Sequence, residues 1–315
     1  MNIVHSNTRQ DIDIVPTPRI DTLVDAFINS LDVKMNSKLL YRRTLKQFFK
    51  WVSDSNLVLS EIDRTHVLKY KNHLLADGKS SLTVGSYLTS VSRFYEWTEA
   101  QKYYPNVAKG IKSPKRKQQF KKQPLTPSQA TALLTYVEST HDLRNLAIIN
   151  LLLRTGLRTI EIVRADIQDI TYKAGQRVLL VHGKGRDEKD GFVILTDKAF
   201  NSIESYLNSR VGAKGIEPLF TSTSNNNNGK RLTTRTISQI AKESLKATGL
   251  NDKSYTAHSL RHTTAVNILR AGGSLEMVQY ILRHANPSTT QIYTATIKEE
   301  RRLENNGETL LDNLY

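Results

Sequence analysis

Four side chains near the carboxyl end of the chain have types and spacings that suit a shared chemical task. His258 and Arg261 are three residues apart, which places them on one face of a helix. His284 comes nine residues before Tyr293. Two imidazoles, a guanidinium and a phenol together supply proton donors, a fixed cation and an oxygen nucleophile. The set predicts proton transfer and nucleophilic attack, and the rest of the chain must indicate on what.

Two more cationic residues lie upstream of this set. Arg158 follows a glycine that should end a helix, and Lys184 stands between two glycines at a predicted hairpin tip, where the backbone can approach a ligand closely. Such donors suit a pentacoordinate phosphate, and a phenol there suits nucleophilic attack because a phosphotyrosine ester keeps the energy of the broken bond. Each residue alone has an ordinary alternative: Arg158 in a surface ion pair, Lys184 in a solvated loop, and Tyr293 in a core. Glu161 is either the structural partner of Arg158 or a residue that faces water.

His262 follows Arg261 directly in the sequence. We predict that it points away from the His258–Arg261 face and serves in packing or at the surface. Zinc binding by His258, His262 and His284 is an alternative, because the first two are four residues apart. No Glu or Asp stands between them as in a metal-binding helix motif, which disfavours zinc.

The charge of the chain indicates the class of partner. Lys and Arg number 45 and Asp and Glu number 30, a net charge of +15. Such a field favours a polyanion, either nucleic acid or an anionic membrane surface. The membrane alternative is weak, because no apolar run approaches the roughly 20 residues of a membrane span and no signal peptide is apparent. With no cysteine there is neither a disulfide nor a thiolate metal site, which suits the cytosol.

The pattern of the first part of the chain predicts a small helical domain. Residues 1–20 read as a flexible leader, and residues 21–108 carry four short amphipathic helices with apolar stripes at helical spacing. Its aromatic residues are expected to pack in a core rather than to stack on bases: Phe48, Phe49, Trp51, Tyr95 and Trp97. Residues 109–123 then form an exposed basic linker, which is either a solvated connector or, as we expect, a segment that follows a phosphate backbone. Its cations are Lys109, Lys112, Lys115, Arg116, Lys117, Lys121 and Lys122.

Residues 124–297 are predicted to form a second domain that carries the chemistry. It opens with a helix capped by Thr126-Pro127, and a second apolar helix ends at Gly156. Residues 176–181 and 192–195 have the composition of two strands around the turn that holds Lys184. The fold class predicted is mainly α with a small antiparallel β-sheet. Residues 298–315 form a short tail with an apolar end.

Four motifs in this order resemble the tyrosine recombinases, the phage-integrase and Xer group. They are Thr155-Gly156-Leu157-Arg158, then Gly183-Lys184-Gly185, then His258-Ser259-Leu260-Arg261-His262, and finally Leu282-Arg283-His284 followed by Tyr293. The resemblance covers the chain from about Leu125 to Tyr293, and the first domain looks like that family's SAM-like core-binding module. One departure is Arg283, where the family usually has glycine. It puts the packing around His284 in doubt and adds a candidate phosphate contact.

The resemblance implies a role for each catalytic residue. Arg158 and Arg261 would clamp the non-bridging oxygens of the scissile phosphate, with Glu161 supporting the first arginine. Lys184 would protonate the departing 5′ oxygen, and His258 would assist proton transfer to or from the nucleophile. His284 would orient and stabilise the phosphate. Tyr293 would attack to give a 3′-phosphotyrosyl link that a second DNA end resolves, without metal or nucleotide cofactor.

The resemblance also implies partners and leaves rival functions. The expected partners are double-stranded DNA recombination sites and possible accessory DNA-bending or directionality factors. We expect a homotetramer that binds two sites and whose subunits exchange their tails, located in the cytoplasm of a bacterium. Rival functions are a type IB topoisomerase and a DNA-binding protein without activity. The leader is shorter than the arm-binding domain of the larger phage-type integrases, which favours a simpler Xer-like or transposon-borne enzyme over them.

Overall fold

The structure, a computed structural model, describes residues 19–115, 122–182, 188–284, 286–305, 307–312 and 314. The chain divides into two compact units, Met1–Gln119 and Phe120–Tyr315. Most of the predicted leader lies outside the described residues. So do Lys184 and three cations of the predicted linker, Arg116, Lys117 and Lys121.

The first unit packs four helices around an aromatic core, as the apolar stripes predict. The five aromatic residues predicted as core all belong to this cluster, so that prediction is confirmed. The ring of Phe48 meets that of Tyr70 edge to face at 5.0 Å between centroids, an arrangement that aromatic pairs prefer. The elements are α1 (Ile20–Ser30), α2 (Met35–Asp54), a single 3₁₀ turn (Leu59–Glu61), α3 (Arg64–Ala76) and α4 (Ser81–Ala100).

The second unit is helical with one small sheet, so the predicted fold class is confirmed. No helix in the described ranges is long and apolar enough to cross a membrane. The helices are α5 (Pro127–Ser139), α6 (Leu143–Thr155), α7 (Thr159–Arg164), α8 (Asp197–Asn208), α9 (Thr234–Ala247), α10 (Ala257–Arg270), α11 (Leu275–Leu282), α12 (Ser288–Glu304) and α13 (Glu308–Asp312). A 3₁₀ turn (Ile167–Asp169) leads into the strands β1 (Ile170–Lys173), β2 (Gln176–Val181) and β3 (Gly191–Ile194).

The sheet is antiparallel throughout, in the order β1-β2-β3. The two strands expected from composition are β2 and β3, and Leu179 of β2 pairs with Val193 of β3 and with Ile170 of β1. Strand β1 was not predicted. It is only four residues long and largely exposed at its far end, so its pattern carries too little alternation to mark it as a strand.

Helix α6 is the centre of the second unit and packs against α5, α8 and α10. It begins after Asp142, whose side chain accepts a hydrogen bond from the Asn145 backbone N–H, and it ends at Gly156 in the left-handed region, at φ 59°. Ile148 and Leu151 are fully buried, as expected for a helix surrounded by others. The ends of α6, α10 and α11 therefore lie close together, and they carry the candidate site.

Candidate active site

The turn after α6 delivers Arg158 to the site. Only a residue tolerant of positive φ can end α6 as Gly156 does. The space there is also closed, because a Cβ on Gly156 would lie 2.6 Å from Cδ2 of Leu282 at the end of α11. The chain then passes the buried Leu157 and places Arg158 at the N-cap of α7. This explains why glycine precedes the first arginine motif.

Glu161, one turn into α7, holds two arginines at once. Its carboxylate accepts hydrogen bonds from the Arg158 backbone N–H at 2.6 Å and from Arg158 Nη1 at 2.8 Å. It also accepts one from Arg283 Nη2 at 2.8 Å. Burial alone would raise the pKa of Glu161, but the charges of Arg283 and Arg158 and the Arg158 N–H outweigh it, so the pKa lies below its ordinary value. Arg158 thus pairs with a buried carboxylate rather than in a surface ion pair.

Arg283 occupies its unusual position in the conformation a glycine would adopt. It caps α11 with φ 51° and ψ 50°, in the left-handed region, where a non-glycine residue is strained by about 1 kcal/mol. Its side chain turns inward to Glu161 and to the carbonyl of Ile281, 2.7 Å away. Arg283 therefore departs from the family pattern by forming an ion pair that joins α11 to α7. This ion pair answers the doubt about local packing beside His284.

Arg261 is buried and held by main-chain carbonyls. Its Nη1 donates to the carbonyl of Gly156 and its Nη2 to that of Leu282, so it ties together the ends of α6 and α11. Burial, and after it the charge of Arg158, lowers the pKa of Arg261 to about 9, which leaves the guanidinium charged at neutral pH. Its two carbonyl bonds use two of its five N–H donors.

His258 lies one turn before Arg261 on α10 and is exposed. Desolvation by the surrounding protein, then the charges of Arg261, Arg158 and Lys122, lower its pKa below the ordinary value. Lys122 is one of the linker cations, and its Nζ donates to the carbonyl of Lys253 at 2.6 Å. Positive charges thus surround His258, which suits the capture of an anion.

His284 follows Arg283 and faces the tyrosine. Its Nδ1 lies 2.9 Å from Thr290 Oγ1, and its ring is nearly parallel to that of Tyr293, with centroids 6.4 Å apart and planes at 8°. Burial lowers the pKa of His284 to about 4, assisted by the positive charges of the nearby arginines, Arg261 foremost. The ring is therefore neutral at pH 7, and Thr290 sets its orientation. Thr290 was not among the predicted site residues.

Tyr293 lies in α12 with only 2% of its surface exposed. Its ring packs with Val278 and Leu282 in a small apolar cluster. Its hydroxyl lies 2.8 Å from Nδ1 of His262. Burial raises the pKa of Tyr293 to about 12, although the charges of Arg261 and Arg158 act in the opposite direction.

The prediction that His262 points away from the His258–Arg261 face is wrong, whereas the packing that was predicted as one of its two roles is observed. The side chain was expected to point away from the site, yet its ring is buried and contacts both Tyr293 and His258, with ring centroids 5.4 Å and 4.5 Å apart. The reason is helical spacing. Residues four apart lie on the same face of a helix, so His262 lies on the face of His258 although it is adjacent to Arg261 in the sequence. That same spacing was the available signal. Across the described residues, no cluster of His, Asp or Glu side chains is arranged to hold a metal ion.

Charged side chains anchor the described residues that lead into β3. Lys189 Nζ lies 2.6 Å from an Asp169 carboxylate oxygen and 3.0 Å from one of Asp166. Asp169 is buried, and Arg231 also pairs with Asp166. This network fixes the chain just before β3, although the composition around Lys189 gave no hint of it.

The remaining linker cations are described in part. The carbonyl of Lys109 accepts a hydrogen bond from Arg64, and that of Lys112 accepts one from Lys71 Nζ at 2.8 Å. These bonds tie the backbone of residues 109–112 to α3 within the first unit. They leave the ammonium groups of Lys109 and Lys112 to other partners, because only main-chain oxygens take part.

The arrangement brings five of the six predicted catalytic residues to the meeting point of α6, α10, α11 and α12. They are Arg158, Arg261, His258, His284 and Tyr293, and Lys184 lies outside the described residues. Two guanidiniums and neutral imidazoles around a phenol can bind and polarise a phosphate diester.

Two family models match the chain. The N-terminal SAM-like domain of phage integrases matches residues 24–102, and the phage integrase family matches residues 123–300. The tyrosine recombinase XerD of Staphylococcus epidermidis is 29% identical over 299 residues, which cover 90% of this chain and 97% of XerD. The tyrosine recombinase XerC of Pelobacter propionicus is 32% identical over 260 residues, 81% of this chain and 82% of XerC.

Solved structures share the fold. The XerH site-specific recombinase bound to palindromic difH substrate superposes with a TM-score of 0.73 at 20% identity, over 92% of this chain and 84% of XerH. The Tn1549 transposon integrase in complex with circular intermediate DNA superposes with a TM-score of 0.70 at 20% identity, over 86% of this chain and 94% of the integrase chain.

Fold and sequence together define a tyrosine recombinase, an enzyme that cleaves and rejoins DNA at specific sites. The chain belongs to the phage integrase family. These similarities do not favour the two alternatives, a type IB topoisomerase and a catalytically inactive DNA-binding protein.

Proposed function

We propose that this recombinase cuts and rejoins its DNA through Tyr293, which forms a 3′-phosphotyrosyl link. The observation that carries the proposal is the surroundings of the Tyr293 hydroxyl. Its ring stacks beside His284, and the charges of Arg261 and Arg158 act on its oxygen. A tyrosine kept only for packing needs no such cations.

The reaction assigns each residue a task. Tyr293 Oη bonds to the scissile phosphorus while the bond to the 5′ oxygen breaks, and Lys184 gives that oxygen a proton. Arg158 and Arg261 bind the non-bridging oxygens, whose charge grows in the transition state. Rejoining reverses these steps, with the 5′ hydroxyl of a second DNA end as nucleophile.

The remaining site residues support this core. Glu161 holds Arg158 by its main chain and its side chain, which keeps the guanidinium oriented before DNA binds. His284 orients the phosphate, and His258 assists proton transfer. No step needs a metal ion or a nucleotide.

A covalent adduct tests the proposal. The protein is incubated with a nicked half-site duplex, and a denaturing gel is used to detect DNA bound to protein. Tyr293→Phe should abolish the adduct, and Tyr280→Phe, which alters an exposed tyrosine of the same unit, should retain it. An adduct that persists in Tyr293→Phe excludes Tyr293 as the nucleophile. Relaxation of plasmids of any sequence would instead favour the topoisomerase.

The basic linker, residues 109–123, is proposed to follow the DNA backbone between a core-binding domain (21–108) and a catalytic domain (124–297). Its support is seven cations in a segment without acidic residues. Neutralising these cations should lower the log–log slope of affinity against salt by roughly one unit for each phosphate that the linker no longer pairs with. Replacing as many exposed lysines elsewhere, including Lys198, Lys214 and Lys246, controls for net charge. An unchanged slope in the linker variant would place the linker away from the backbone.

The tail, residues 298–315, is proposed to dock on a neighbouring subunit of a tetramer that holds two recombination sites. Its support is the exposure of apolar side chains at the end of the chain: Leu303, Leu310, Leu311 and Leu314. Helix α12 runs through the predicted start of this tail, so docking would reach the helix of Tyr293 directly. Leu310→Asp with Leu311→Asp should lower the mass of the DNA complex measured by light scattering, and an unchanged mass would refute the exchange.

The biological role is proposed to be Xer-like resolution, or movement of a mobile element, in the bacterial cytoplasm, with accessory factors as further partners. Its support is the similarity to XerC and XerD over most of the chain. Inverted repeats about a short spacer in the DNA flanking the coding sequence would provide the substrate. Plasmids with two such sites in direct or inverted orientation then separate resolution from inversion by the products.

A further inference from the structure

His262 contacts the hydroxyl oxygen of Tyr293, the proposed nucleophile. Its Nδ1 lies 2.8 Å from Tyr293 Oη, and both side chains are buried. A phenol has one proton to donate, so with Nε2 protonated the Nδ1 lone pair accepts that hydrogen bond. His258, which the family resemblance links to proton transfer, is instead exposed and meets His262 edge to face.

The position of His262 is set by its neighbours on α10. Thr263 Oγ1 accepts a hydrogen bond from the Leu125 backbone N–H at 2.8 Å. Thr264 Oγ1 donates to the carbonyl of Leu153 at 2.8 Å. These bonds fix α10 against α6 and against the segment before α5, so the His262 ring is directed at Tyr293 by the packing of the whole unit.

Among the residues that the structure describes, the titratable groups that face His262 are basic or neutral. They are His258 and Arg261 on its own helix, His284 after α11, and Tyr293 on α12. Burial, and then His258, Arg261 and His284, lower the pKa of His262 to about 3. With the pKa of Tyr293 at about 12, the proton stays on the phenol in the free enzyme. The negative charge of a bound phosphate enters the same cluster of cations and raises the pKa of His262, which makes its imidazole a better proton acceptor.

We propose that His262 is the general base that takes the Tyr293 proton, and that the scissile phosphate itself switches this base on. The proposal rests on the proposed function of Tyr293 as nucleophile. As Oη bonds to phosphorus, the Oη–H bond breaks and its proton passes to Nδ1, while the leaving 5′ oxygen takes a proton from Lys184. In rejoining, the His262 imidazolium returns the proton to the departing phenolate. The nucleophile thus stays inactive until DNA is in place.

The test compares single-turnover adduct formation by His262→Asn with that of the wild type, from pH 5.5 to 9.5. Asparagine keeps a polar group near the position of Nδ1 but accepts no proton. We expect DNA affinity within about threefold of wild type and an adduct rate at pH 7 lowered about 100-fold or more, the usual scale of general-base catalysis. The deficit should shrink as pH rises, because hydroxide then removes the phenol proton. His141→Asn, at an exposed histidine of the same unit, is the matched control.

A second substrate separates this base from the general acid. A 5′-bridging phosphorothiolate releases a thiolate, which leaves without being protonated. It should restore cleavage in Lys184→Ala and not in His262→Asn. If the modified substrate restores His262→Asn, the residue acts on the leaving group and the proposal fails. It fails equally if the Asn variant cleaves within threefold of wild type, or if its deficit does not change with pH.

Folding and the underlying function are controlled separately. If His262→Asn loses its thermal unfolding transition, His262→Ala is assayed with and without added imidazole, whose neutral form should restore the adduct. Absence of that rescue in a folded Ala variant would overturn the proposal. If wild type forms no adduct, or Tyr293→Phe still forms one, the proposed function fails. A Tyr293-dependent adduct that survives in His262→Asn refutes only the role of His262.

Discussion

Replacing Arg283 by glycine tests how the site is held together. The substitution removes the ion pair between Arg283 and Glu161, whose side chains are 15% and 3% exposed. It also removes the positive-φ strain of a non-glycine residue at the end of α11. The two effects have opposite signs, so the measured change in stability shows which of them is larger.

The structure gives the expected magnitude. Leaving a buried charge without its partner costs about 3–5 kcal/mol. Glu161 keeps Arg158 through two hydrogen bonds, which reduces this loss to about half. Glycine recovers about 1 kcal/mol of the left-handed strain. We therefore expect Arg283→Gly to lower the free energy of unfolding of the second unit by about 0.5–1.5 kcal/mol at pH 7.

The two units can be followed separately in one denaturation experiment. Both tryptophans of the chain, Trp51 and Trp97, lie in the first unit. Tryptophan fluorescence therefore reports the first unit, and circular dichroism reports both. The transition that circular dichroism detects and fluorescence does not is the unfolding of the second unit. In Arg283→Gly this transition should occur at a lower urea concentration than in the wild type. The fluorescence transition should stay where it is in the wild type and serves as an internal control.

The pH dependence follows from Glu161. Its folded pKa is lowered below the ordinary value of 4.5, so its ionised form stabilises the protein above that pH, and this contribution is lost as the pH falls through the folded pKa. Because Arg283 contributes to the lowering, the difference between wild type and variant should be largest at pH 7 and shrink as the pH falls below 4.5. Arg283→Asn, which tolerates positive φ, and Arg283→Lys, which keeps the charge, are matched variants. A glycine variant as stable as wild type at pH 7 would refute the reasoning.

Two further predictions concern neighbours of the site. Gly156→Ala should destabilise the second unit by about 2–4 kcal/mol, because strain at positive φ adds to a core clash. The control Gly175→Ala, with positive φ but open space around it, should cost only about 1 kcal/mol. Equal losses of stability for the two variants in urea unfolding would contradict the clash. Thr290→Val removes the hydrogen bond to His284 and should slow adduct formation about threefold to tenfold at unchanged DNA affinity. Thr289→Val, at an exposed neighbouring threonine, should leave the rate unchanged. Equal rates for the two variants would show that Thr290 does not orient His284.

Local signals in the sequence determined much of the fold. The apolar stripes identified the helices, the cap Thr126-Pro127 marked the start of α5, and Gly156 marked the end of α6. These features depend on residues close in the chain, so one sequence is enough to predict them. Strand β1 escaped because a four-residue exposed strand depends on its pairing with β2, which lies outside its own segment.

The reaction class was also determined by the sequence, because the order and spacing of the motifs identify the family. What only the tertiary structure decided is which side chains meet. Glu161 and Arg283 are 122 residues apart, and His262 and Tyr293 are 31 apart. Such pairs form because α6, α10, α11 and α12 converge, and convergence depends on packing that no local pattern records. The sequence by itself pointed to Tyr293 as the proposed nucleophile and to its cations, and the packing of the helices decided that His262 lies beside the hydroxyl of that tyrosine.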